Sequence, residues 1–156
     1  TDWLKAPHGK LHFTSFEAYP MAKSDMAEAL TAFPEVAPLS SILLDKWSAG
    51  DGPVNIAENL TLEVIIGDAR ETLPAWQGRA DAWFLDGFSP AKNPALWEPT
   101  LLQSVADHTA PNGTAATYSA AGHVRQSLTA AGFNVSRVQG FGRKRHMTTA
   151  RIAHAK

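Results

Sequence analysis

Three short runs of strand-like composition each close on a carboxylate. Residues 11–17 are aromatic-rich and end at Glu17, residues 62–68 are β-branched and stop at Gly67-Asp68, and residues 82–87 are apolar until Asp86-Gly87. All three read as β-strands, the third fully buried. A weaker strand over 114–119 follows a Pro-Asn-Gly turn, while residues 133–138 and 147–153 flank a glycine-containing basic segment and suit an antiparallel pair. Helical patterns fill the intervals. Ser24 is positioned to cap a helix reaching residue 33, and shorter helices fit 39–47 and 70–76. A helix over 96–109 puts Leu101, Leu102 and Val105 at helical spacing, and another over 121–131 is closed by Gly132. Residues 48–59, with two glycines and a proline, read as irregular. Strands alternating with helices predict a parallel sheet with helices on both faces, a doubly wound α/β domain finished by an antiparallel hairpin.

Composition narrows the class further. With 44% hydrophobic residues among 156, the chain can build the core of one globular domain and is not a disordered tract. The absence of cysteine excludes a disulfide scaffold, thiolate metal sites and cysteine nucleophiles, and no metal site is expected. No apolar run is long enough to cross a bilayer, and residues 1–7 lack the basic and apolar regions of a secretory signal. A cytoplasmic protein with no membrane partner is expected. The formal net charge of −1 conceals a division: residues 1–107 hold all 15 acids with 7 Lys/Arg, and residues 108–156 hold 7 Lys/Arg and no acid. An anionic partner, nucleic acid foremost, fits that asymmetry; a cationic rim that aids solubility fits it equally well.

In a doubly wound sheet ligands bind beyond the carboxyl ends of the strands, which draws attention to Glu17, Asp68, Asp86 and Ser119. Carboxylates there can accept hydrogen bonds from a ribose diol or an adenine amino group, although Asp68 and Asp86 could equally cap the helices that follow. Asp86 opens the segment Asp86-Gly87-Phe88-Ser89-Pro90-Ala91-Lys92-Asn93-Pro94, in which two prolines and a glycine forbid helix and define a loop. Stiff loops that carry Asp, Ser, Lys, Asn and an aromatic suit active sites.

The motif Phe84-Leu85-Asp86-Gly87-Phe88-Ser89-Pro90-Ala91-Lys92-Asn93-Pro94 with Trp97, taken with Gly140-Phe141-Gly142-Arg143-Lys144-Arg145, resembles the methyltransferase part of the MnmC family. These are bifunctional tRNA 5-methylaminomethyl-2-thiouridine biosynthesis proteins. Residues 11–20 resemble the family's second strand, so the likeness runs nearly from end to end. The resemblance implies a class I (Rossmann-like) methyltransferase fold with S-adenosylmethionine as methyl donor. The acceptor it implies is the aminomethyl group on the modified wobble uridine of tRNA. By the same resemblance Glu17, with Ala18, would hold the ribose hydroxyls of the cofactor, Asp68 and Ala69 would contact its adenine, and Asp86 would sit beside the methyl group and the incoming amine; that position assigns it the catalytic role, since a carboxylate can orient the amine and receive its proton. Phe88, Lys92 and Asn93 would engage the base or phosphate of the tRNA, and Arg143, Lys144 and Arg145 its backbone; Trp83 reads as buried, and Trp97 as a wall of the acceptor pocket.

The family's first strand, which is central and lies between the second and fourth, and its glycine-rich cofactor loop are not among these residues. A single methyltransferase-like domain, incomplete at its N-terminus, is therefore expected. A FAD-dependent oxidoreductase domain linked after it in a longer protein is implied as well. Two other readings stay open from the residues. One is a NAD(P)-dependent oxidoreductase, since Glu17 at a second strand suits either cofactor. The other is a tRNA-binding fragment without catalysis.

Overall fold

The structure is a computed structural model that describes residues 9–47 and 50–153. The chain divides into two compact units, Thr1–Thr72 and Leu73–Lys156.

In the first unit, strands β1 (Leu11–Glu17) and β3 (Leu60–Ile66) run parallel, in unbroken register from Leu11 opposite Leu60 to Glu17 opposite Ile66. Parallel neighbours need a crossover, supplied here by helices α1 (Lys23–Leu30) and α2 (Ala37–Lys46). A short strand β2 (Val54–Ala57) pairs antiparallel with the other side of β3, with a bulge between Asn55 and Ala57. This corrects the expectation of an irregular stretch over 48–59, of which residues 48 and 49 lie outside the described residues. Val54-Asn55-Ile56-Ala57 alternates half-buried and exposed positions, and Glu58-Asn59 suffices to turn it back onto β3. Ser24 does not cap α1 either: Ala22 occupies the cap position without a side-chain bond, and the Ser24 hydroxyl donates to Asp25 instead.

The second unit is a four-stranded sheet in the order β4 (Ala80–Phe84), β5 (Thr109–Thr117), β7 (His146–Ile152), β6 (Phe133–Gln139). The β4–β5 pair is parallel and the other two pairs are antiparallel, so the expected terminal hairpin is present. The Pro-Asn-Gly turn persists inside β5 as a bulge. Ala80 pairs with Thr109 but Ala82 with Thr114, and Asn112 takes a φ of 66° while a Cβ on Gly113 would sit 2.8 Å from the Ala110 carbonyl oxygen. Helix α4 (Pro99–Asp107) starts later than residue 96 because Pro94–Trp97 forms a separate turn of 3₁₀-helix and Pro99 then occupies the first turn of α4, where its missing N–H costs nothing. Helix α5 (Gly122–Ala130) ends as read, with Gly132 at a φ of +97°.

The core of this unit is built by Leu101, Leu102, Val105 and Ala106 of α4, Val124 and Leu128 of α5, and Phe133 and Ala150 of the sheet. Strand β4 is less covered than its apolar sequence predicts. It has β5 as its one partner among the described residues, and Phe84 at its end is 71% exposed. In the same way β1 has β3 as its one partner. Trp83 is half-buried, with its indole N–H donating to the Thr109 hydroxyl at 2.9 Å.

Phe133 is 2% exposed at the start of β6. Phe133→Ala should lower stability by about 3–5 kcal/mol through lost burial and a residual cavity, whereas Gln126→Ala on the exposed face of α5 should stay within about 0.5 kcal/mol. Urea denaturation measures both; equal effects would place the core elsewhere.

Candidate active site

The in-register pairing of β1 with β3 brings two of the expected carboxylates to one sheet end in the first unit. Glu17 closes β1 opposite Ile66, and its carbonyl accepts a hydrogen bond from the Gly67 N–H at 3.0 Å. The Glu17 side chain is exposed, with Oε1 accepting from the Ser15 hydroxyl at 3.0 Å, and exposed Ala18 follows. Beyond β3 the chain turns at Gly67, whose φ of +140° and 2.7 Å approach of a would-be Cβ to Thr72 leave no room for another residue. Asp68 then caps helix α3 (Ala69–Ala75), so the capping reading of this residue holds.

Arg70 encloses the Asp68 carboxylate. The Arg70 backbone N–H donates to Oδ1 at 2.9 Å, Nε lies 3.0 and 3.1 Å from the two oxygens, and Nη2 lies 2.5 Å from Oδ2. The side-chain bonds from Arg70, then its backbone bond, hold the carboxyl down from 3.8 to about 2. The contact therefore favours the folded state fully above pH 3.8, and that contribution is lost as the pH falls through about 2. In R70A the side-chain bonds are lost while the backbone N–H at position 70 still donates to Oδ1, so the Asp68 midpoint should rise from about 2 toward 3.8 without reaching it, as followed by NMR. A midpoint remaining near 2 would assign the depression to another group.

In the second unit the pairing of β4 continues one residue past the strand, through the Leu85 N–H to the Ala116 carbonyl at 2.9 Å, and Asp86 emerges exposed at the carboxyl end. The loop after it is fastened at successive points. The Tyr118 hydroxyl donates to the Gly87 carbonyl at 2.6 Å, and the Trp97 indole N–H to the Phe88 carbonyl at 2.8 Å. The Ser89 carbonyl accepts from the Lys92 and Asn93 N–H groups at 2.8 and 3.0 Å. A Cβ on Gly87 would meet Leu96 at 2.8 Å, so the glycine lets the loop lie on that side chain. Phe88 is 73% exposed, Lys92 is exposed and Asn93 half-buried.

Trp97, expected to wall the acceptor pocket, is instead 3% exposed and lies beneath the loop, where its one polar group holds backbone. Ser119 is also buried, with its oxygen atoms committed to Ala121 and Thr148. The residue before it, Tyr118, was not legible as a site residue; its only signal is its place at the end of a strand. Tyr118 also carries the Lys144 ammonium 5.2 Å from its ring centroid, which seats the basic hairpin tip of Arg143, Lys144 and Arg145 next to the Asp86 loop. Those three side chains are exposed. Among the described residues no three His, Asp or Glu side chains gather as a metal site, and no helix is long and apolar enough to cross a membrane.

Residues 34–153 match the family of S-adenosyl-L-methionine-dependent methyltransferases. The chain belongs to that family. It is 44% identical over 155 residues to the tRNA 5-methylaminomethyl-2-thiouridine biosynthesis bifunctional protein MnmC of Caulobacter sp. strain K31, covering 94% of this chain and 26% of that protein. The protein of the same name from Pseudomonas aeruginosa strain PAO1 is 45% identical over 147 residues, 91% of this chain and 22% of that one. The chain thus spans about a quarter of the length of the curated relatives it matches. The crystal structure of MnmC2 from Aquifex aeolicus aligns at 30% identity with a TM-score of 0.72, over 95% of this chain and 46% of that one. The antibiotic-resistance methyltransferase Kmr, at 11% identity and a TM-score of 0.51, shares the fold. The fold is the class I, Rossmann-like methyltransferase fold, and the MnmC resemblance carried by the motifs is borne out.

Tyr118→Phe leaves the Gly87 carbonyl without its donor. A loss of about 0.5–1.5 kcal/mol in stability is expected, together with faster proteolytic cleavage between residues 86 and 94. An unchanged cleavage rate would mean that this bond does not hold the loop.

Proposed function

We propose that the chain transfers a methyl group from S-adenosylmethionine to the aminomethyl nitrogen of the modified wobble uridine of tRNA, converting 5-aminomethyl-2-thiouridine to 5-methylaminomethyl-2-thiouridine. The observation that carries this reading is the Asp86 loop: an exposed carboxylate at the end of a parallel strand, its backbone fixed on either side, within a chain that is 44% identical to an MnmC protein. Because the family match runs across both compact units, we assign both to one methyltransferase domain. The length of the relatives supports a longer protein that also carries the FAD-dependent oxidoreductase domain implied by the family resemblance. Such a protein works on tRNA in the cytoplasm.

The strand ends of the first unit fit the adenosine part of the cofactor. The exposed Glu17 carboxylate, with one oxygen bonded by Ser15, retains acceptor capacity for two ribose hydroxyls. Ala18 and Ala69 follow the two carboxylates and are small enough for a purine to lie along the backbone. The oxygens of Asp68 are already occupied by Arg70, so an adenine amino group is accepted there only as the guanidinium yields one of them.

When bound, the cofactor supplies an electrophilic methyl group on sulfur. In the second unit Asp86 would orient the neutral amine by accepting its N–H, leaving the nitrogen lone pair unprotonated, and would take up the proton that the nitrogen loses in exchange for the methyl group as the methyl–sulfur bond is broken. Phe88 stacks on the extruded base, and Lys92 and Asn93 hold the base or its phosphate. Arg143, Lys144 and Arg145 neutralise backbone phosphates, each contact adding roughly one unit to the salt dependence of binding.

Two measurements test the reading. S-adenosylhomocysteine should raise the Tm of the purified protein while NAD does not; the reverse would favour an oxidoreductase, and tRNA binding with neither shift would favour a non-catalytic RNA-binding chain. Asp86→Ala should abolish transfer of labelled methyl to tRNA with circular dichroism unchanged. Full activity in that variant would sink the assignment of Asp86.

A further inference from the structure

Phe141 is 93% exposed at the tip of the hairpin joining β6 to β7. A phenyl ring left in water forgoes the stabilisation of burial, and unlike the similarly exposed Tyr19 it has no hydroxyl for water to bond. The turn that presents it is closely built. The Lys144 N–H donates to the Phe141 carbonyl at 3.1 Å, and the Gly140 N–H to the Arg145 carbonyl at 3.1 Å. A Cβ on Gly140 would lie 2.3 Å from the Lys144 carbonyl oxygen, and Gly142 has a φ of +59°. Two glycines thus shape a turn whose geometry leaves the ring outside.

The surroundings of the ring identify its partner. Arg143, Lys144 and Arg145 follow it, all exposed, within a segment from residue 108 onward that contains no carboxylate. Lys144 rests over Tyr118, and Tyr118 holds Gly87, the neighbour of both Asp86 and the exposed Phe88. An aromatic face beside closely spaced cations matches a strand of nucleotides, in which π-faced bases alternate with anionic phosphates. It does not match an apolar peptide, which would leave the cations unpaired.

We propose that Phe141 is a stacking platform for an unpaired base of the bound RNA, next to the base that Phe88 receives, with the three cations on the intervening phosphates. This rests on the reading of the chain as a tRNA methyltransferase, and it adds a residue that recognises single-strandedness where the cations recognise charge alone.

The test is equilibrium binding of an anticodon stem-loop RNA and of a fully paired RNA of equal length, followed by fluorescence anisotropy without cofactor. Wild-type protein should favour the stem-loop. F141A and F141L should each lose roughly five- to a hundredfold in affinity for the stem-loop and bind the duplex as before, with the salt dependence unchanged. F141W should keep the affinity. A variant lacking Arg143 and Arg145 should weaken on both RNAs and lose salt dependence. Stem-loop binding by F141A equal to wild type would overturn the proposal, as would equal losses on loop and duplex. Binding to anionic phospholipid vesicles that depends on Phe141, with RNA binding unaffected, would overturn it in favour of a membrane contact. Because no methyl transfer is measured, failure of the methylation reading leaves this result interpretable, and the converse also holds.

Discussion

The hydrogen bond from the Tyr118 hydroxyl to the Gly87 carbonyl joins three parts of the second unit: the end of a strand, the Asp86 loop and the basic hairpin tip. It ties the end of β5 to the loop that leaves β4, and the ring that makes it is also the seat of the Lys144 ammonium. A loop of glycine and prolines has little internal hydrogen bonding of its own, so its shape must be imposed from beneath. Tyr118 and Trp97 do so by addressing two successive backbone carbonyls rather than side chains. The side chains of Asp86 and Phe88 are left exposed. Backbone groups must be paired wherever a loop packs against protein, and here that requirement also sets the position of the carboxylate.

Much of this was legible in the residues. Strand β1 is legible to the residue because the run from Leu11 is short and aromatic-rich, ends at Glu17 and is followed by the turn at Tyr19-Pro20. The Asp86 loop was found because proline and glycine restrict backbone in a way that local sequence states directly. What escaped depended on tertiary context. Strand β2 is four residues long and becomes a strand by pairing with β3. Trp97 looks like a surface aromatic at a helix start, yet it is buried by the loop that its N–H serves. Ser24 has the composition of a cap and bonds its neighbour Asp25 instead. Tyr118 carries no motif; its role arises from being set opposite Gly87, 31 residues away in sequence.

Asp68 is held as a helix cap by backbone and side chain of one residue. Its cap bond and its bidentate partner make it a structural anion at the start of α3, and the strong depression of its titration follows from Arg70 alone among its neighbours. The same position is where a doubly wound sheet offers an acceptor to a ligand.

The unbroken ladder between β1 and β3 acts as a levelling device. Each backbone step from Leu11 to Glu17 is matched by one from Leu60 to Ile66, so the heights of Glu17 and of the turn at Gly67 are set by the pairing and not by the chain between them. The path of the crossover helices therefore bears little on where the two carboxylates stand, because the ladder, from one end to the other, already fixes them.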